Sequence, residues 1–460
     1  MKALRSSKYE SFPLADGARV CVIGGGPAGS LTAFFLLKIA DRIGTSLEVD
    51  IYEPKNFGAC GPRACNMCGG IVSESLVQLL AVEGINLPPE LVQQGIDSYV
   101  LHTDGKEVKI RTPLNEMRIA ALFRASGPSD AEPGRIAGLD SFLLDLACSL
   151  GARHVETSVT KVTRRDDLPL VIDSKGEQKS YQLVVGAVGI NKKGMQLFKE
   201  LGLMYREPRT TRTAVMELRL GRDSVSKYLG SSMHVFLLDI PGFEFAAIIP
   251  KGEYATVCVL GDDVDKALVT RFMQTDEVRG CLPESFSAEQ IVCRCMPRIN
   301  VGGARNIFDD RVVIVGDFGV TRLYKDGIGA AYRTAKACAV TALFHGVSGE
   351  DFRRHYWSTP RRIEWDNFLG KLLFSGSFFF RKLAFLRAAM FAMTAREQKT
   401  LTTKPRMSMI LWNMFTGSTP YQDVLRQGLM PGFLSRFVLY CVSSLGGLSG
   451  RTALTEKKKS

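Results

Sequence analysis

The feature that most constrains the fold of this chain is the sequence ARVCVIGGGPAGSLTAFFLLK over residues 18–38. It places a glycine-rich turn between an apolar strand and an apolar helix. Gly24 permits the tight turn, Gly26 lets the backbone approach a pyrophosphate, and Gly29 lets helix and strand pack closely. A diphosphate is therefore expected at the helix N-terminus. The predicted contacts in this turn are Gly24, Gly25, Gly26, Pro27, Ala28 and Gly29.

A second apolar strand, LEVDIYE, ends at Glu53, 24 residues after Gly29. A carboxylate at this place can accept hydrogen bonds from the ribose hydroxyls of an adenosine. The order of strand, turn, helix, strand and acid predicts a bound dinucleotide. The alternative is a glycine-rich turn with a purely structural role.

A second strand-turn-helix pattern follows far downstream, with RVVIVGDFGV at 311–320 and DGIGAAYRTA at 326–335. A nicotinamide domain of this kind needs no contact with a strand so distant. A flavin does, because its ribityl chain and ring system extend beyond the adenosine. The pattern favours FAD, and the alternative is an ordinary strand with a Gly-Asp turn.

Together the two patterns resemble the FAD-binding fold of hydroxybenzoate hydroxylase-like monooxygenases, electron-transfer-flavoprotein:quinone oxidoreductases and geranylgeranyl reductases. The resemblance implies an α/β fold with a Rossmann-like FAD-binding domain, an inserted antiparallel β-sheet substrate domain and a C-terminal helical, basic amphipathic region. It implies that Asp317, after Gly316, holds a ribityl hydroxyl. It also implies that Gly327, Ile328 and Gly329 begin a helix near the pyrimidine edge of the flavin.

Two further segments bear on the branch of the family. GRIAGLDSFLLDLA resembles the family's Arg-x-x-x-Leu/Phe-Asp helix, which implies that Arg135 contacts the cofactor. YQLVVGAVG at 181–189 resembles a hydroxylase strand that ends in Gly-Ala-Asp-Gly, but Val188 stands at the place of the acid. This departure argues against a hydroxylase.

Three cysteines, Cys60, Cys65 and Cys68, fall within nine residues and precede Gly69 and Gly70. Cys-Gly-Gly resembles an element of geranylgeranyl reductases, which implies that Cys68 faces the substrate as a candidate proton donor and that the glycines approach the flavin. No metal is then required. The spacing also matches a plant-type [2Fe–2S] run, with Cys60, Cys65 and Cys68 as ligands and a fourth from Cys293 or Cys295. Packing thiols are the third interpretation.

Apolar and alternating runs between residues 213 and 261 predict an antiparallel substrate sheet. Within it, FAAIIPKG at 245–252 resembles the Tyr-x-Trp-x-Phe-Pro-Lys-Gly strand of geranylgeranyl reductases. Phe245 and Pro250 are the implied substrate contacts. Ala247 stands where flavin halogenases carry tryptophan, which argues against halogenase chemistry. We predict four parts: an N-terminal extension (1–17), a discontinuous FAD-binding domain (18–205 and 290–350), a substrate sheet (206–289) and a C-terminal helical region (351–460).

The positive charge of the chain is concentrated in the C-terminal region. Residues 351–460 hold 18 Lys and Arg against 6 Asp and Glu, an excess of 12 that equals the net charge of all 460 residues. Aromatic and aliphatic runs there are interrupted by cations, which is typical of helices lying on an anionic membrane surface. The alternative is a cap on the flavin domain or a surface for another subunit. Nucleic acid is excluded as a partner because the segment is strongly apolar and has no recognition module.

Eleven cysteines, an odd number, and an N-terminus without an apolar signal region predict a cytoplasmic protein, peripheral on the inner face of the membrane. We predict an FAD-dependent oxidoreductase that reduces isoprenoid double bonds of a lipophilic substrate, as geranylgeranyl reductases do. One alternative is a flavin and iron–sulfur electron carrier that reduces membrane quinone. Another is a flavoprotein subunit docked on a membrane complex. The electron donor is a reduced carrier protein or NAD(P)H, since no second GxGxxG is present.

Overall fold

The computed structural model describes residues 13–65, 68–112, 119–400 and 406–456. Most of the predicted N-terminal extension, residues 1–12, lies outside the described residues.

The described strands and helices follow one another from residue 18 to residue 456. The strands are β1 Ala18–Ile23, β2 Leu47–Tyr52, β3 Ile71–Val72, β4 Val92–Ile96, β5 Ser98–Thr103, β6 Lys106–Arg111, β7 Ile119–Leu122, β8 Arg153–Val155, β9 Val159–Arg165, β10 Leu168–Asp173, β11 Gln178–Ser180, β12 Leu183–Gly186, β13 Arg209–Arg212, β14 Ala214–Arg219, β15 Ser232–Phe236, β16 Phe243–Lys251, β17 Tyr254–Gly261, β18 Ile291–Cys295, β19 Arg298–Gly302, β20 Phe308–Asp309 and β21 Val312–Ile314. The helices are α1 Pro27–Arg42, α2 Glu74–Val82, α3 Leu139–Ser149, α4 Lys192–Glu200, α5 Arg222–Tyr228, α6 Lys266–Met273, α7 Asp276–Arg279, α8 Gly327–Phe344, α9 Gly349–Asp351, α10 Ser358–Lys382, α11 Ala384–Thr400, α12 Met407–Thr416, α13 Tyr421–Gly428 and α14 Pro431–Glu456.

A six-stranded sheet with the order β20-β21-β12-β1-β2-β8 forms the first domain. Its strands are parallel except at the β20 edge, where β20 runs antiparallel to β21. The central strands are apolar along almost their whole length because both faces of such a sheet are buried. Helices α1 and α8 pack side by side, so the two glycine turns that precede them meet at one edge of the sheet. The predicted α/β, Rossmann-like fold class is confirmed.

A seven-stranded sheet, β18-β14-β17-β16-β15-β5-β6, forms the second layer. It is antiparallel except between β5 and β15, which run parallel. The inserted sheet differs from the prediction in this pair and in its extent, because β5, β6 and β18 lie outside residues 206–289. Local patterns indicate strands, but a pairing across more than 100 residues is decided by tertiary packing.

The C-terminal helices cover one face of the seven-stranded sheet. Phe374 of α10, Met390 of α11 and Trp412 of α12 share a buried apolar core with Phe245 and Ile249 of β16. By length and composition, none of the described helices can cross a bilayer alone, whereas α13 together with residues 431–445 of α14 meets those criteria as a pair bent by 64°. The C-terminal region therefore shares a buried core with the seven-stranded sheet in addition to presenting an outer surface.

Candidate active site

The first glycine turn is shaped by close backbone approaches. Gly24 has φ of +107°, and a Cβ there would lie 2.5 Å from the carbonyl oxygen of Ala187. A Cβ on Gly29 would lie 1.8 Å from the oxygen of Gly24. Gly26 precedes the first turn of α1, which begins at Pro27, so backbone amides are free to face an anion. The turn fits a pyrophosphate.

The acid at the end of β2 reaches this turn. Glu53 accepts hydrogen bonds from the backbone N–H of Gly25, at 2.9 Å, and from that of Lys55, also at 2.9 Å. Its side chain is mostly buried. The carboxylate therefore stands beside the glycine turn, as ribose binding requires.

The second glycine turn packs directly on the first. Gly316 has φ of +64°, and a Cβ there would lie 2.5 Å from the Cβ of Ala28. Burial raises the pKa of the neighbouring Asp317, and a hydrogen bond from Thr321 opposes that shift. A Cβ on Gly327 would lie 3.8 Å from the Asp317 carboxylate, so α8 begins at this acid.

The N-terminus of α8 is also tied to the C-terminal helices. Ile328 is buried, and Gly329 donates its N–H to the capping carboxylate of Asp326. Asp326 is held by Arg322, which also donates to the carbonyl oxygen of Gly417. A change in the loop before α13 is thus transmitted to the turn that carries the predicted flavin contacts.

Gly69 and Gly70 approach the substrate sheet. Gly70 has φ of +67°, and a Cβ there would lie 1.9 Å from the oxygen of Leu122. A Cβ on Gly69 would lie 3.0 Å from the Cys258 sulfur. Cys68 lies beside them and accepts a hydrogen bond from the Gly70 N–H at 3.4 Å. The segment leaves no room for side chains at either glycine.

Four cysteines line one small pocket next to this segment. Cys65 and Cys68 come from the predicted three-cysteine run, and Cys293 and Cys295 come from β18. Burial raises the pKa of Cys295 to about 12. Cys60 instead donates its S–H to the Ser126 carbonyl oxygen at 3.1 Å. In the described part of the chain, the Cys60, Cys65 and Cys68 sulfurs do not lie within 4.8 Å of one another.

Lys251, at the end of β16, was not among the predicted site residues. Only 1% of its surface is exposed, and its ammonium has no hydrogen-bond partner among the described residues. It lies 4.5 Å from the ring centre of Phe123 and 3.9 Å from Glu217, and a Cβ on Gly70 would lie 2.9 Å from it. The ammonium thus has a ring and a carboxylate beside it but no hydrogen-bond acceptor among the described residues, which makes Lys251 a candidate contact for a bound group.

The buried arginine of the site is Arg124, not the predicted Arg135. Arg124 binds Asp140 with two hydrogen bonds, and its charge lowers the pKa of Asp317 against the effect of burial. The guanidinium of Arg135 is 45% exposed and pairs with Glu253 at 3.1 Å. Asp140, in the same motif as Arg135, takes its arginine partner from just after β7, and the cofactor contact of Arg135 stays a prediction.

The two predicted substrate residues lie on opposite faces of β16. Phe245 lies on the face of β16 that packs against the C-terminal helices, and its ring lies 5.8 Å from that of Tyr324 and 5.7 Å from that of Phe374. Side chains alternate along a strand, so Pro250 points with Ile248 toward the outer core. The predicted substrate contact of Pro250 therefore has no support in the geometry.

A cationic cleft of about 560 Å³ opens beside this aromatic wall. Its charged lining consists of three cations, Arg209, Arg298 and Lys371, and two carboxylates, Asp262 and Asp263, which leaves an excess of one positive charge; Tyr324 lines it as well. Arg298 is paired with Asp263 at 3.5 Å. Burial, assisted by the charge of Arg209, lowers the pKa of Lys371. No local pattern predicts this cleft, because its cations come from three elements that are distant in sequence, β13, β19 and α10. It can accept an anionic group close to an apolar chain.

Two known proteins resemble this chain in sequence over most of its length. No protein-family model matches the chain. It is 25% identical to the geranylgeranyl diphosphate reductase of Synechocystis over 353 residues, which is 72% of this chain and 77% of the relative. It is 23% identical to the chloroplastic enzyme of that name from Nicotiana tabacum, over 79% and 77% of the two chains.

Solved structures share the fold. A geranylgeranyl bacteriochlorophyll reductase-like protein from Thermoplasma acidophilum aligns with a TM-score of 0.62 at 14% identity, covering 90% of this chain and 99% of the other. The p-nitrophenol 4-monooxygenase of Pseudomonas putida aligns with a TM-score of 0.61 at 15% identity, covering 88% and 99%. The paired glycine turns, with Glu53 and Asp317 beside them, fit FAD.

Proposed function

We propose that this chain, which resembles geranylgeranyl reductases in sequence and in fold, is an FAD-dependent oxidoreductase that reduces carbon–carbon double bonds of an isoprenoid chain. The observation that carries this proposal is the aromatic wall of Phe245, Tyr324 and Phe374, of which Tyr324 also lines the cationic cleft. At its other end, Ile249 lies on the same face of β16 as Phe245 and 3.3 Å from the position of a Cβ on Gly69. A chain with a diphosphate end, such as the curated relatives are named for, matches both features. Its apolar part would lie along the rings and its charged end beside the cations.

FAD, when bound, supplies two electrons as a hydride to one carbon of the double bond. The residues of this chain hold the substrate, exclude water and supply the proton that the other carbon needs. The Lys251 ammonium and the Cys68 thiol both lie beside Gly70, and we propose them as the two candidate proton donors. A reduced carrier protein or NAD(P)H would then restore the electrons.

The direct test uses the purified protein, reduced chemically without oxygen and mixed with geranylgeranyl diphosphate. We expect products heavier by two hydrogen atoms for each reduced double bond, measured by mass spectrometry. Flavin content is measured on the same sample, which separates a failure to load cofactor from a failure to react. Unchanged substrate with fully loaded, reduced protein would contradict the proposal.

The two proton donors are separated by substitution. We expect Lys251→Met to retain FAD and to lower the rate of double-bond reduction by about 10²-fold or more, the usual contribution of a positioned acid. Cys68→Ala should lower it comparably only if the thiol supplies the proton. The exposed Lys227, at the end of α5, gives a matched control as Lys227→Met. A Lys251→Met protein as active as the control would remove this lysine from the reaction.

The cysteine pocket supports a second candidate, a flavin and iron–sulfur carrier that reduces membrane quinone. Cys293 and Cys295 join Cys65 and Cys68 there, which gives four thiols in one pocket. Protein purified without oxygen would contain iron and acid-labile sulfide and would reduce a soluble quinone. Flavin absorbance alone, with no iron, would exclude this candidate.

We also propose that the C-terminal helices hold the protein on an anionic lipid surface at the cytoplasmic face of a membrane. Exposed apolar side chains form a stripe on α10, with Trp365, Phe368 and Leu372, and a second on α14. Exposed cations accompany both, including Arg436 on α14. Each cation near such a surface contributes about 1 kcal/mol, and the apolar side chains add to this by burial in the headgroup region.

Vesicle binding tests this surface. We expect the protein to sediment with vesicles rich in phosphatidylserine and the double variant Val438→Asp, Val442→Asp to stay in solution, because two charges enter the apolar stripe of α14. Val82→Asp is the matched control, since Val82 is 82% exposed on the distant helix α2. Equal sedimentation of the double variant and the control would contradict the lipid surface and favour docking on another protein subunit.

A further inference from the structure

Three buried side chains meet on the side of the seven-stranded sheet that faces away from the proposed substrate wall. His102 lies on β5, His234 on the adjacent parallel strand β15, and Cys281 shortly after α7. His102 stacks on Phe236, which belongs to the outer apolar core. All three side chains are almost completely buried. The group is therefore separate from the residues assigned to FAD and substrate.

The three side chains direct one potential ligand atom each toward a common point. Nε2 of His102 lies 2.9 Å from Nδ1 of His234, and the sulfur of Cys281 lies 3.2 Å from that Nδ1 and 3.7 Å from that Nε2. Bond lengths to zinc and tetrahedral angles require separations of about 3.3 to 3.6 Å between such atoms. The arrangement is within about half an ångström of this requirement.

The outer ring nitrogens have acceptors of their own. Nδ1 of His102 lies 3.4 Å from a carboxylate oxygen of Glu107, and Nε2 of His234 lies 3.4 Å from the carbonyl oxygen of Leu229. When each outer nitrogen donates to its acceptor, both inner nitrogens carry a lone pair. The Cys281 thiol has a single proton, which it can donate to the carbonyl oxygen of Glu277 at 3.3 Å or to one of the two nitrogens, so at least one nitrogen is left without a donor in this arrangement. This is the orientation in which protein groups hold metal-binding histidines.

We propose that His102, His234 and Cys281 bind a zinc ion. Imidazole nitrogen and thiolate sulfur are both zinc ligands, and a water molecule would complete the tetrahedron. On binding, the thiol proton of Cys281 passes to solvent and the thiolate coordinates the metal, with no change of oxidation state. The ion would fasten the segment after α7 to strands β5 and β15.

The experiment measures zinc in the full-length protein after exhaustive dialysis against metal-free buffer. We expect one zinc ion per chain in the wild type and a loss of that zinc in Cys281→Ser. Cys148→Ser is the matched control, because Cys148, on α3, belongs neither to this group nor to the four-cysteine pocket. A wild type without zinc, or zinc retained by Cys281→Ser, would overturn the proposal.

A second measurement needs no variant and is independent of folding effects. Zinc is removed with a chelator, the FAD content is checked, and Co²⁺ is added to the wild-type protein. We expect thiolate-to-cobalt charge-transfer absorption at one equivalent and recovery of any thermal midpoint lost on chelation. No thiolate absorption from the folded, metal-free protein would overturn the proposal. Because FAD and substrate lie on the other face, failure here is distinguishable from failure of isoprenoid reduction.

Discussion

A Gly29→Ala variant is expected to lose its FAD. The added methyl would lie 1.8 Å from the carbonyl oxygen of Gly24, far inside van der Waals contact. Gly24 cannot move toward Ala187 to make room, because its backbone is already so close that a Cβ built on it would lie 2.5 Å from the Ala187 oxygen. The first turn of α1 must therefore move away from the strand, and its amides no longer converge on the pyrophosphate. We expect FAD affinity to fall at least about tenfold, which corresponds to a loss of about 1.4 kcal/mol of binding free energy.

The measurement is flavin absorbance relative to protein after gel filtration, with titration of added FAD. Gly376→Ala is the matched control: Gly376 lies within α10, and a Cβ there meets no atom within 4 Å. Alanine favours helix over glycine by about 1 kcal/mol, so the same chemical change should leave FAD bound and slightly raise stability. A Gly29→Ala protein as yellow as this control would refute the pyrophosphate assignment.

The parts of the fold that could be predicted are those encoded locally. The strand, turn and helix around Gly24 and Gly29, and the matching pattern around Gly316, are set by short-range sterics, so sequence alone identified the Rossmann-like domain. The parallel pairing of β5 with β15 joins residues more than 100 positions apart. It has no local signal, because the strands themselves would look the same in an antiparallel pair.

The candidate site shows the same division. Phe245 was identified because its motif resembles a family strand, yet Pro250 from the same motif points to the other face by simple alternation. Lys251 belongs to the same motif, but the motif predicts no role for it. Its ammonium lacks a hydrogen-bond partner only because the fold brings it against Phe123 and Gly70, which are distant in sequence. Separate histidines and cysteines on different elements, such as His102 and Cys281, carry no spacing that could reveal a ligand set.

Arg124 and Arg135 give the clearest contrast between motif and packing. Arg124→Leu is expected to lower the free energy of unfolding by about 3–5 kcal/mol, because it leaves the carboxylate of Asp140 buried without its cation. The Asp140 side chain has no solvent exposure, and that of Arg124 has 12%. Arg135→Leu should change stability by at most about 1 kcal/mol, since the pair with Glu253 is exposed to solvent.

Urea unfolding of the two variants measures the difference directly. The double variant Arg124→Leu, Asp140→Asn should recover part of the loss, because the remaining amide carries no charge to bury. This recovery identifies the pair, rather than the volume of the arginine, as the source of the effect. If Arg135→Leu were the more destabilised variant, the buried pair would not be the stronger contribution to stability. If Arg135→Leu alone lost FAD, Arg135 would be the arginine that contacts the cofactor.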